Sequence, residues 1–143
     1  MTIKHGHHNL PFSSVRRLIE VDLPIKHISE HALKEKSIRH GHISTLHVWW
    51  ARRPLAACRA VICAALWPDP ADVNCPERFK SEASKLMKAF RDKRGGRRYD
   101  WNDGIELRKA LLEFIADFAN WNNTTNKDFL ETSRSLTQVA HKS

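Results

Sequence analysis

From Pro54 to Leu66 the chain carries a single polar side chain, Arg59, among Leu55, Ala56, Ala57, Cys58, Ala60, Val61, Ile62, Cys63, Ala64, Ala65 and Leu66. A run of this length makes about three and a half helical turns, well short of the roughly 20 apolar residues that span a bilayer. A helix that is apolar all round has to be covered on all sides. The remaining apolar stretches of the 143-residue chain are sparse. The expectation is therefore that part of the cover comes from a surface outside this chain. Arg59 sharpens the constraint, because an unpaired charge inside an apolar helix is costly. Its expected partner is a carboxylate such as Glu20 or Asp22, in preference to a ligand.

The other segments read as helices of more ordinary amphipathicity. A short apolar stretch, Leu18 to Leu23, ends at Pro24, after which Ile25, Ile28, Ala32 and Leu33 recur at helical spacing. Pro68 and Pro70 close the apolar helix, and Pro76 opens another with a stripe of Phe79, Ala83, Leu86, Met87 and Phe90 that ends at Gly95-Gly96. Asp103 with Glu106 has capping-box spacing, and Ile105, Leu111, Leu112, Ile115 and Phe118 supply the expected buried face of a helix to about Asn120. Thr125 or Asn126 caps a last helix with Phe129, Ser133, Leu136 and Ala140 on one side. Ser44–Trp50 alternates weakly and is the one strand candidate. The expected architecture is mainly α, about five helices with at most one short strand. Residues 15–143 form a single helical domain behind a flexible, polar leader, residues 1–14.

Charge is concentrated. The formal net charge is +8, and nine Lys or Arg against Glu82 and Asp92 put +7 between Arg78 and Arg98. A local basic strip is the footprint of a polyanion partner, although many such runs are solvated faces and nothing more. The candidate nucleic-acid-binding residues are Lys85, Lys88, Arg91, Lys93, Arg94, Arg97 and Arg98, the last two in a loop beyond the glycine pair. Cys58, Cys63 and Cys75 form no CxxC pair, which fits buried thiols in a reducing, cytoplasmic setting. His40, His42 and His47 lack an acid or Cys at ligand spacing, so no metal site is expected. Five glycines build no phosphate-cradling loop, and GxGxxG, Walker, GxSxG and HExxH patterns are absent, so no catalytic residue is assigned.

His47-Val48-Trp49-Trp50-Ala51-Arg52-Arg53-Pro54 brings indole faces, guanidinium forks and a helix start into one turn. That combination can hold an aromatic, anionic ligand. The competing account makes one Trp core and the Arg pair solvated surface.

Three stretches carry a family resemblance: Arg17-Leu18-Ile19-Glu20-Val21-Asp22-Leu23-Pro24, Glu35-Lys36-Ser37-Ile38-Arg39-His40-Gly41-His42, and Leu46 through Ala60 with the Trp-Trp-Ala-Arg-Arg-Pro string. They resemble the N-terminal domain of unknown function number 1156 of adenine-specific DNA methyltransferases. The likeness is close over Arg17–Pro70 and looser through Phe114–Trp121. It implies that a Rossmann-like α/β methyltransferase domain follows this one, with a DPFAGxG-type loop for S-adenosylmethionine and an Asn/Asp-Pro-Pro-Tyr/Phe motif. Neither motif occurs before Ser143. The resemblance thus implies a fragment that is inactive alone, binds no cofactor tightly, contacts DNA, and partners a catalytic domain in a restriction or phage-defence setting. It also implies that His47, Trp49, Trp50, Arg52, Arg53 and Pro54 help complete the S-adenosylmethionine pocket. The alternative is a stand-alone basic helical module that binds nucleic acid without methyltransferase activity.

Overall fold

Proline, asparagine and aspartate punctuate the chain where its helices begin. The computed structural model describes residues 15–37, 55–123 and 125–143. Within them lie α1 (Leu18–Val21), α2 (Ile25–Ser37), α3 (Leu55–Leu66), α4 (Glu77–Arg94), α5 (Gly104–Ala119), a 3-10 turn (Trp121–Asn123) and α6 (Lys127–Lys142). The fold is mainly α, with six helices among the described residues where about five were expected. The extra one is the single turn α1, too short to register as a period. No strand occurs among the described residues; an isolated antiparallel bridge joins Arg17 and Pro68. The strand candidate Ser44–Trp50 and the leader 1–14 lie outside the described residues.

Helix ends follow local chemistry. Asn126 Oδ1 accepts from the Asp128 and Phe129 amides, and Asp103 Oδ1 accepts from the Ile105 amide at 3.1 Å, so each cap satisfies otherwise orphaned donors. The reciprocal half of the expected box is missing, because Glu106 instead pairs with Lys109 at 2.9 Å. Helix α4 ends at Gly95, whose φ of 72° lies in the left-handed region where a side chain is strained.

Helix α3 sits at the centre, packed on α1, α2, α5 and α6. Its buried positions are small, Ala56, Ala60, Cys63 and Ala64, which lets neighbouring backbones approach closely. The opposite side stays bare among the described residues: Val61 is 44% exposed, Ile62 58% and Leu66 46%. Cover of α3 is thus incomplete on that side among the described residues. Arg59 departs from expectation. Its Nε donates to the Phe118 carbonyl at 3.1 Å and its Nη2 to the Ala119 carbonyl at 2.9 Å, with the guanidinium over the Phe118 ring. These acceptors belong to a helix C-terminus, which carries partial negative charge and unsatisfied carbonyls, and Glu20 and Asp22 form no ion pair with Arg59.

Aromatic rings close the other half of the core. Phe90 of α4, Phe114 of α5 and Phe129 of α6 meet with centroids 5.0 to 5.3 Å apart. The stripes read for α4 and α6 are the buried ones, with Leu86 and Ala140 only partly covered. Two other stripes need correction. Ile25 and Leu33 of α2 are about two-thirds exposed, leaving Ile28 as its buried anchor. Ile105 also faces solvent, and α5 buries Leu107, Ala110, Leu111 and Phe114 in its place. Helical spacing placed these residues on a common face but could not show how far the neighbouring helices extend over it.

The turn between α3 and α4 ties these layers together. Trp67 is fully buried, and its indole Nε1 donates to Thr137 Oγ1 of α6 at 3.1 Å. Its carbonyl accepts from the Leu18 amide, while the Asp69 amide donates to the Arg16 carbonyl at 2.7 Å. Asp69 is 1% exposed and is gripped by Arg108 of α5 through two bonds, Nε to Oδ1 at 2.8 Å and Nη2 to Oδ2 at 2.6 Å. The start of α5 comes so close that a Cβ on Gly104 would stand 2.6 Å from the Pro70 carbonyl oxygen. Arg108→Met should lower unfolding stability by about 3 kcal/mol, because it strands a buried carboxylate. Urea denaturation measures this, and a loss of under about 0.5 kcal/mol would show that the pair is only a surface contact.

Candidate nucleic-acid interface

The basic strip does not form one surface. Helix α4 is 18 residues long, so its cations spread around the cylinder as well as along it. Lys93 and Arg94 turn toward α6, where both approach Asp128, at 3.8 and 3.9 Å. Arg94 also lies over the rings of Phe129 and Phe90, at 4.8 and 5.8 Å from their centroids. These two are part of the α4–α6 contact. Lys93 remains 67% exposed despite this contact, and Arg94 35%.

The other five candidates converge on two aromatic side chains. Lys85 and Lys88 line a groove of about 360 Å³ together with Tyr99 and Trp101. Arg91, Arg97 and Arg98 line a neighbouring groove of about 450 Å³ that shares Tyr99 and Trp101. The two rings lie 5.6 Å apart with a 50° tilt. Arg97 sits over Tyr99 at 5.3 Å and Arg91 over the same ring at 5.7 Å. Asp92 and Asp100 stand in the same walls and offset part of the charge.

The geometry sorts these cations into structural and available ones. Arg91 is largely buried, with Nη2 3.4 Å from Glu113 Oε1, and its Nε has no hydrogen-bond partner. Glu113 also accepts a hydrogen bond from the Tyr99 hydroxyl, so one carboxylate anchors both the helix and the loop that follows it. Lys85 pairs with Glu82 at 3.2 Å on the exposed face of α4. Among the described residues, Lys88, Arg97 and Arg98 form no ion pair. Tyr99 is itself buried, 8% exposed beneath Arg91 and Arg97, so the ring surface left for a planar ligand is that of the partly buried Trp101, beside three cations without an ion pair that can hold phosphate groups.

Residues 22–90 match the family described as protein of unknown function DUF1156. No curated protein and no solved structure matches the chain. The DUF1156 match starts after α1 and ends at Phe90, so it takes in α2, α3 and most of α4. It extends past the close resemblance at Pro70, and Tyr99, Trp101 and the looser likeness at Phe114–Trp121 fall beyond it. Within the match, His47, Trp49, Trp50, Arg52, Arg53 and Pro54 lie outside the described residues, as do His40 and His42.

Sequence reasoning missed Tyr99 and Trp101. The available signal was their position: Tyr99-Asp100-Trp101 follows Arg97-Arg98 directly, and aromatics next to a basic run are the usual composition of a stacking surface. The thiols match expectation more simply. Cys63 and Cys75 are buried, and burial pushes both up to about 11, so they act as small apolar side chains. Glu113→Ala should release the Arg97–Arg98 loop. Trypsin cleavage there is expected to rise about tenfold, the equivalent of one charge-assisted hydrogen bond. An unaltered cleavage rate would mean that Glu113 does not hold the loop.

Proposed function

We propose that this chain is a helical N-terminal domain of an adenine-specific DNA methyltransferase that contacts DNA through Lys88, Arg97 and Arg98. The observation that carries the DNA reading is the set of three unneutralised cations around Tyr99 and Trp101. Exposed cations that neutralise phosphates release counterions, which makes binding strong at low salt and steeply salt-dependent. Fluorescence anisotropy with a labelled duplex tests this. Doubly substituted Arg97→Ala/Arg98→Ala should reduce the slope of log affinity against log salt by roughly two, whereas Lys93→Ala should leave it unchanged. Equal effects from both variants, or no salt dependence, would count against the assignment.

The methyltransferase half of the proposal rests on the resemblance of the Trp49-Trp50-Ala51-Arg52-Arg53-Pro54 string and its neighbours. In that reading the uncovered Val61–Ile62–Leu66 side of α3 packs on a catalytic domain, and His47, Trp49, Trp50, Arg52, Arg53 and Pro54 border its S-adenosylmethionine pocket. The chain would then act in the cytoplasm, and no helix of the described residues is long and apolar enough to cross a membrane. Trp50→Ala or Arg53→Ala in a full-length relative should weaken S-adenosylmethionine binding, read by calorimetry; unchanged affinity would remove these residues from the pocket. A stand-alone nucleic-acid-binding module is the second reading, favoured by the same three cations. Strong DNA binding by the chain, with no gain in affinity when a methyltransferase domain is joined to it, would select that reading.

A further inference from the structure

Trp67 and Trp101 differ in how far the core takes them in: Trp101 packs against the core with part of its surface uncovered. Trp67 is fully buried with its N–H bonded to Thr137, as a core indole should be. Trp101 is only partly buried, and it borders three grooves: the two described above and a third of about 380 Å³ lined by Lys80, Ser84 and Asn102. Its backbone is nonetheless held firmly. The Ser84 hydroxyl donates to the Trp101 carbonyl at 3.0 Å, and Asp100 Oδ1 accepts from the Asn102 amide at 3.0 Å within the turn. A large ring left open to three clefts while its main chain is fixed to α4 is preorganised to meet a flat partner, with little ordering cost.

We propose that Trp101 is a stacking platform for an unpaired DNA base, so that this face prefers single-stranded over duplex DNA. The inference rests on the reading of the face as a nucleic-acid interface. Duplex bases hide their faces within the stack and expose only their edges, whereas an unpaired base can lay its face on an indole. The cations are distributed to suit a strand that passes over the ring. Lys88 lines one groove with Trp101, and Arg97 and Arg98 line the other. A strand stacked on Trp101 would therefore find a cation for its phosphates in either groove it entered. Recognition of this kind is tolerant of sequence, since every base offers an aromatic face.

Binding of the whole chain to a labelled single strand of about 12 nucleotides, and to a duplex of equal length, tests the proposal. The single strand should bind more tightly. Trp101→Ala should weaken it about tenfold and the duplex less than about twofold, while Trp101→Phe retains most of the affinity. Circular dichroism checks that each variant stays folded. Unchanged single-strand affinity in Trp101→Ala, or equal loss for both DNAs, overturns the stacking role. If Arg98→Ala weakens both DNAs while Trp101→Ala affects neither, the interface stands and the platform falls. If the chain binds neither DNA, both fall.

Discussion

Asp69, a carboxylate almost wholly withdrawn from water, is held in place by the two-pronged grip of Arg108. A buried ion pair is not in itself a large source of stability, because desolvation offsets much of the attraction. Its effect here is positional. The same short turn carries Trp67 into the core, receives the backbone ahead of α1, and meets the start of α5 at a glycine that leaves no room for a side chain. Four helices are thereby referred to one turn. The direction in which α5 leaves that turn fixes where Glu113 stands, and Glu113 in turn holds Arg91 and Tyr99. The candidate interface thus depends on an ion pair that is not part of it.

A second constraint comes from α3. Its small buried residues let α5 come close, and Arg59 closes the contact by capping the far end of α5 with two hydrogen bonds to carbonyls. The guanidinium thereby satisfies acceptors that would otherwise be orphaned, and it lies over Phe118 as it does so. The opposite side of α3 presents Val61, Ile62 and Leu66 to solvent.

Much of this was legible in the sequence because it is encoded by local periodicity and punctuation. The α4 stripe, the Asn126 cap and the Gly95 stop each depend on residues within a turn or two of one another. What could not be read depends on distant partners. Nothing near Arg59 announces that its acceptors are carbonyls sixty positions away, and Ile105 has the spacing of a core residue while no neighbour arrives to cover it. The basic strip shows the same limit. Sequence marks Lys93 and Lys88 as equivalent charges, but the packing of α6 brings Asp128 to the first and leaves the second facing Trp101.

The proposed DNA contact lies where Lys88, Trp101 and the Arg97–Arg98 pair meet, beside a loop anchored by Glu113. Nuclear magnetic resonance of isotope-labelled chain titrated with a short DNA strand addresses it residue by residue. The account predicts that amide and indole shifts concentrate at Lys85–Lys88 and Arg97–Asn102, with the Trp101 indole N–H among the largest and the Trp67 indole unmoved. Shifts centred on Lys93, Arg94 and α6, or none at saturating DNA, would contradict it.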